Sequence, residues 1–148
     1  MKYFIASDHA GTILKELIKD ILNKENIEII DMGPNSKDRV DYPDFAKLVC
    51  EEVQKDKSHF GILVCGSGIG MSMAANKFDK IRAALCHNIY SAKMAREHND
   101  ANVLCLGERV SGEGMIEEII KAWLNSSFEG GRHKERVEKI NNLFSCRV

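Results

Sequence analysis

The stretch His59-Phe60-Gly61-Ile62-Leu63-Val64-Cys65-Gly66-Ser67-Gly68-Ile69-Gly70-Met71 decides how the rest of the chain is read. An apolar run, Phe60 to Val64, ends in a thiol, and the thiol opens a glycine-rich loop. Met71 to Lys77 then reads as a short helix. This arrangement puts Cys65 at the carboxyl end of a strand and beside a helix N-terminus. Unpaired backbone N–H groups and the positive end of the helix dipole gather there. Such a position favours a thiolate and stabilises other negative charge nearby.

Working outward, strands and helices alternate. Tyr3 to Ala6 reads as a first strand, and Leu14, Leu17, Ile18, Ile21 and Leu22 recur at helical spacing. Ile27 to Ile30 is a second strand, followed by a polar loop from Met32 to Asp41. Phe45, Leu48, Val49 and Val53 mark a second helix with Pro43 near its start. After the Cys65 stretch come a strand at Ile81 to Leu85, a helix at Ile89 to Glu97 and a strand at Asn102 to Leu106. Met115, Ile116, Ile119, Ile120 and Trp123 give a further helix. Beyond Gly130-Gly131, Arg132 to Phe144 reads as a last helix. The pattern predicts one α/β domain over residues 1–148: a Rossmann-like sandwich of five parallel strands, helices on both faces and an extra C-terminal helix.

Composition narrows the classes. The chain has 148 residues, with 21 Lys+Arg against 22 Asp+Glu, so nothing points to nucleic acid or a membrane surface. No apolar run approaches the roughly 20 residues needed to span a bilayer, and Met1 to His9 turns polar too soon for a signal peptide. The cysteines at 50, 65, 86, 105 and 146 are odd in number and contain no Cys-x-x-Cys pair. Free thiols in a reducing cytoplasm are the expectation.

In open parallel sheets ligands sit at the carboxyl ends of the strands. The polar residues there are Ser7-Asp8-His9, Cys65 to Gly70, His87-Asn88 and Gly107-Glu108-Arg109. Several motifs fail on this set. The dinucleotide fingerprint needs a third glycine where Met71 stands. A Walker loop lacks Gly-Lys-Ser/Thr. A cysteine-phosphatase loop needs arginine at the same Met71 position. No Cys/His group stands at zinc-ligand spacing. What survives is an anion-binding loop beside a thiol, or a tight βα turn with a buried cysteine.

Other positions also carry two readings. His9 binds an anion or caps the helix beginning near Ala10-Gly11. His98 has a chemical role or is a cation at a helix C-terminus. Arg132 and Arg136, spaced i,i+4, form a phosphate fork or a solvated basic face beside His133 and Lys134. Cys50, Cys86 and Cys105, and also Met71, Met73 and Met94, read as packing residues.

Together, Asp8-His9-Ala10-Gly11, Asp41-Tyr42-Pro43-Asp44, Cys65 to Ser72, Asn76-Lys77, Ile81 to Ala84, His98 to Asn102 and the Arg132/Arg136 pair resemble the ribose-5-phosphate isomerase B family, which also includes the galactose-6-phosphate isomerase subunits. The resemblance implies interconversion of ribose 5-phosphate and ribulose 5-phosphate through a cis-enediolate, without metal or cofactor. It makes Cys65 the base, with Ser67 and the loop Gly66, Gly68, Ile69 and Gly70 stabilising the intermediate. Some relatives use a carboxylate one residue after the loop; Met71 stands there. By the same resemblance His98 opens the sugar ring, Asp8 and Asn99 hold the sugar, and His9, Arg109, Arg132 and Arg136 hold the phosphate. Tyr42 lines the pocket. The family implies a homodimer or tetramer with sites at the subunit interface. Alternatives are an isomerase of a six-carbon sugar phosphate (allose or galactose 6-phosphate) and a non-catalytic sugar-phosphate-binding subunit.

Overall fold

The computed structural model describes residues 1–143; Phe144, expected to close the last helix, and Cys146 lie outside them. Five parallel strands form one sheet in the order β2-β1-β3-β5-β4. They are β1 (Lys2–Ser7), β2 (Glu28–Asp31), β3 (His59–Cys65), β4 (Ala83–Leu85) and β5 (Val103–Gly107). The helices are α1 (Thr12–Lys24), α2 (Tyr42–Val53), α3 (Ile69–Ala75), α4 (Ile89–Glu97), α5 (Glu113–Leu124) and α6 (Lys134–Asn142). The expected α/β sandwich is what forms.

Side-chain alternation along the strands builds a core on each face. Tyr3, Ile5, Ile62, Val64, Leu104 and Leu106 point to α1, α4 and α5, where Leu14, Ile18, Leu22, Ile119 and Trp123 meet them. Phe4, Ala6, Leu63, Cys65, Val103 and Cys105 point to α2 and α3. Each aliphatic side chain so buried contributes about 1.5–3 kcal/mol. One polar pair lies within the first layer: the Trp123 indole N–H donates to Tyr3 Oη at 3.1 Å. Burial pushes the Tyr3 hydroxyl up to about 12.

Most strand ends shift by a residue, and three larger departures from the sequence reading have a visible cause. β4 begins at Ala83 rather than Ile81. The Arg82 amide there donates to the Asn102 side chain at 2.8 Å, and the Arg82 guanidinium is held by Asp100. α3 begins at Ile69, two residues early, because Gly68 turns the chain into the helix with φ +78°. The last helix is not continuous: Gly130 and Gly131, with φ +67° and +52°, lead into a 3-10 turn over Gly131–His133. Arg132 therefore sits in that turn and Arg136 in α6. Met73, expected in the core, is 66 % exposed, since α3 buries the opposite positions Met71 and Ala75. Among the described residues no helix is long and apolar enough to cross a membrane.

Candidate active site

β1, β3 and β5 are neighbours, so the residues after them converge. Asp8, His9, Tyr42, Cys65, Gly66, Ser67, Ile69, Gly70 and Arg109 line one open cleft of about 540 Å³ at the carboxyl end of the sheet. That volume is ample for a small sugar phosphate. Gly68, at 78° φ, lies under the loop, where a Cβ would come within 2.9 Å of the Leu106 carbonyl carbon.

The loop points its backbone at the thiol. The Gly68 N–H donates to Cys65 Sγ at 3.1 Å, and the Ile69 N–H donates to Ser67 Oγ at 3.2 Å. An amide aimed at sulfur shares the negative charge of a thiolate. Gly70 admits the Tyr42 ring: a Cβ there would stand 2.6 Å from Tyr42 Cζ. The Arg109 amide donates to the Gly66 carbonyl at 3.0 Å, and its guanidinium lies over Gly66. Asp8 is buried and accepts the Ala10 N–H at 2.9 Å.

His9 does not cap α1. Its Nδ1 accepts the Val40 N–H at 3.3 Å, which leaves Nε2 as the protonated, donating nitrogen of the neutral ring. Glu108 serves α1 instead, its Oε1 accepting the Leu14 N–H at 2.7 Å. Asn88 is likewise a cap, accepting from the Ser91 N–H at 2.8 Å on α4. The loop that carries Val40 and leads to Tyr42, the first residue of α2, is anchored by Asp31, which accepts the Gly33 N–H, and by Lys15, which bridges Asp31 and the Pro34 carbonyl.

The remaining residues of the set are elsewhere. α4 runs back from the carboxyl end to the amino end of the sheet, and His98 stands at its terminus, its N–H donating to the Met94 carbonyl. Asn99 follows it. Arg132, Arg136 and α6 pack beside the same end, where Asn141 accepts from Arg82 at 3.0 Å. β3 has seven residues, so about 20 Å of strand separates its two ends. One chain thus brings Cys65, Ser67, Asp8, His9, Tyr42 and Arg109 together but not His98, Asn99, Arg132 and Arg136.

The other described thiols lie outside the cleft. Burial pushes Cys50 up to about 12, Cys86 up to about 11, and fully buried Cys105 well above the ordinary value. These are packing residues, as the sequence suggested. Only Cys65 among them lines the cleft.

A family model described as Ribose/Galactose Isomerase matches residues 3–140. The chain belongs to this family. Ribose-5-phosphate isomerase B of Escherichia coli K12 is 47 % identical over 142 residues, covering 96 % of this chain and 95 % of the relative. A Clostridium thermocellum ribose-5-phosphate isomerase B structure superposes with a TM-score of 0.97 at 49 % identity, covering 100 % of both chains. The Mycoplasma genitalium ribose-5-phosphate isomerase B, solved with bound ribulose 5-phosphate, gives 0.94 at 42 % identity, covering 99 % of this chain and 97 % of that one.

In this member of the ribose/galactose isomerase family, other residues stand beside the expected set. Met73 and Val110 line the cleft. Glu129 and His133 flank His98: the His98 and His133 rings stack with centroids 4.1 Å apart. His133 had been grouped with the surface charges, yet it is 6 % exposed. Its only sequence signal was its place two residues after Gly131. Glu129 had none; the Glu129 N–H bond to the Glu97 carbonyl puts it there.

Proposed function

We propose that this chain is an aldose–ketose isomerase that interconverts ribose 5-phosphate and ribulose 5-phosphate. The observation that carries the reading is Cys65 itself, lining the cleft with the Gly68 amide 3.1 Å from its sulfur. Substrate identity is supported by the names of the relatives and by the ribulose 5-phosphate in the Mycoplasma genitalium protein.

In the forward direction Cys65 takes the proton from C2 of the open-chain aldose. The electron pair moves into a C1–C2 double bond and negative charge develops on O1. The amides of Gly66 to Gly70 and the Ser67 hydroxyl lie beside that oxygen and stabilise it. Proton return at C1, with passage of the O2 proton to O1, gives the ketose. Asp8 and Asn99 hold sugar hydroxyls and Tyr42 walls the pocket. The cleft of one chain offers only His9 and Arg109 to the phosphate. His98, which protonates the ring oxygen during opening, and Arg132 and Arg136, which clamp the phosphate, come from a second subunit. The working unit is therefore at least a homodimer. Anchoring the phosphate, which does not react, orients the carbons that do.

The test is incubation of purified protein with ribose 5-phosphate in deuterated water. The expected result is ribulose 5-phosphate carrying solvent deuterium at C1. Saturable binding without turnover would reduce the protein to a sugar-phosphate binder, and faster turnover of a six-carbon phosphate would replace the substrate.

A further inference from the structure

Spacing along the chain showed no group of metal ligands, but the fold assembles one at the amino end of the sheet. Glu129 Oε2 lies 3.9 Å from His98 Nε2 and 3.6 Å from His133 Nε2. The three ligand atoms fall within 4.8 Å of one another. His133 is 6 % exposed, and its Nε2 is a buried nitrogen without a hydrogen-bond partner among the described residues. A buried polar nitrogen left unpaired in a native fold calls for a partner that the protein chain does not supply.

We propose that His98 Nε2, Glu129 and His133 Nε2 bind a divalent transition-metal ion of the Zn²⁺ class, and that the bound ion competes with the proton on His98. Two imidazoles and one carboxylate make a three-ligand set with an open fourth position. Imidazole nitrogen selects Zn²⁺, Co²⁺ or Ni²⁺ over Mg²⁺ and Ca²⁺, which take oxygen. Zinc–ligand bonds of about 2.0–2.1 Å in a tetrahedral set put the ligand atoms about 3.3–3.4 Å apart, so His98 Nε2, the farther nitrogen from Glu129, has to move in by about half an ångström or more. The ring planes differ by 16°, so their lone pairs do not yet converge. His98, with its side chain 34 % exposed, is the ring free to turn out of the stack.

The electrostatics are mixed. Burial, then the positive charge of His98, Arg132 and Arg136, pushes His133 below the ordinary histidine value, against the pull of Glu129. A neutral imidazole is the form that ligates. The same arginines oppose a cation, so the ion is held reversibly rather than as a structural element. Metal at His98 Nε2 removes the proton that ring opening needs. That consequence rests on the proposed role of His98; the site itself does not.

The test titrates Co²⁺ and Zn²⁺ into chelator-treated, full-length protein, read by calorimetry, by the visible absorption of four-coordinate Co²⁺ and by the NMR signals of the histidine rings. The expected result is one ion per chain, perturbing His98 and His133, with no thiolate-to-cobalt band. Glu129→Gln and His133→Gln should each weaken binding by about 10–100-fold, the range for losing a supporting partner or more. Glu129 is half exposed, so Glu129→Gln decides the matter even where the buried His133→Gln fails to fold. No saturable binding, unweakened binding in Glu129→Gln, or a thiolate band placing the ion on a cysteine would each overturn the site. Zn²⁺ should slow ribose 5-phosphate turnover with the affinity measured by calorimetry; full turnover at saturating ion overturns the competition. A preparation that binds the ion yet never isomerises ribose 5-phosphate overturns the functional reading and leaves the site standing.

Discussion

The two ends of the sheet carry different chemistry. At the carboxyl end, Cys65 faces an open cleft with a loop of backbone amides, and His9 and Arg109 line the same cleft. At the amino end, His98 stacks on a buried His133 beside Glu129, with Arg132 and Arg136 on the following turn and helix. On the proposed roles, the first end holds the proton acceptor and the second holds the proton donor and a basic fork. The comparison teaches that the proposed catalytic set is divided by the sheet, so completing it calls for two chains.

The largest expected effect tests the carboxyl end. Cys65→Ala should cost at least the ~10²–10⁴-fold typical of a positioned proton-transfer group, with KM within a few fold. Near-normal turnover of the purified variant would remove Cys65 from the reaction. Mixing Cys65→Ala chains with Arg136→Ala chains sharpens the comparison. In a mixed dimer one site carries both lesions and the other carries neither, so activity should return. Mixed dimers that form and stay inactive would return all these residues to one chain.

His98→Asn addresses the proton donor. Reaction of cyclic ribose 5-phosphate should fall by about 10²-fold, while the reverse reaction suffers much less. Ribulose 5-phosphate cannot close a five-membered ring through its phosphorylated O5. Equal fractional losses in initial rates of the two directions would make His98 structural or part of the C1–C2 transfer. Arg136→Ala should raise KM by roughly 10–100-fold, the loss of a charge-assisted phosphate bond worth about 1.5–3 kcal/mol. An unchanged KM would leave Arg136 on the solvated face.

The smallest effect concerns the scaffold of the cleft. Burial raises the Asp31 carboxyl, but bonds from Lys19, the Gly33 amide and Lys15 outweigh it and hold the group below its usual value. In the unfolded chain Asp31 titrates near ~3.9. The stability it contributes is complete above that value and is lost as pH falls through the lower folded one. Asp31→Asn should flatten this acid limb. It also leaves Lys15, 1 % exposed, without its carboxylate, at a cost of about 3 kcal/mol at neutral pH. Denaturant unfolding at neutral and acid pH measures both effects. An unchanged midpoint would show that the loop bearing Tyr42 does not depend on this anchor.

Much of the fold was legible because alternation and helical spacing are local. Tyr3 and Ile5 against Phe4 and Ala6 already separate the two faces of β1. The Cys65 loop was legible too, since strand, thiol and glycines are contiguous. Met73 was misread by residue type alone; its offset of two from both Met71 and Ala75 places it across α3 from the core. β4 lost its first residues to side chains distant in sequence, Asn102 and Asp100, which no window around Ile81 contains. Glu108 as the partner of α1 depends on β5 lying beside β3, a fact of topology. His133 and Glu129 escaped for the same reason: their meeting with His98 is set by one backbone bond and two left-handed glycines.

The length of β3 has a further consequence. A rigid span of about 20 Å cannot fold back to bring Cys65 to its own chain's His98. With a shared site, each turnover needs an assembled pair. Far below the dissociation constant of that pair, the rate should follow the square of protein concentration instead of the first power. Cellular abundance would then act as a gain control on flux, steepest where the protein is scarce.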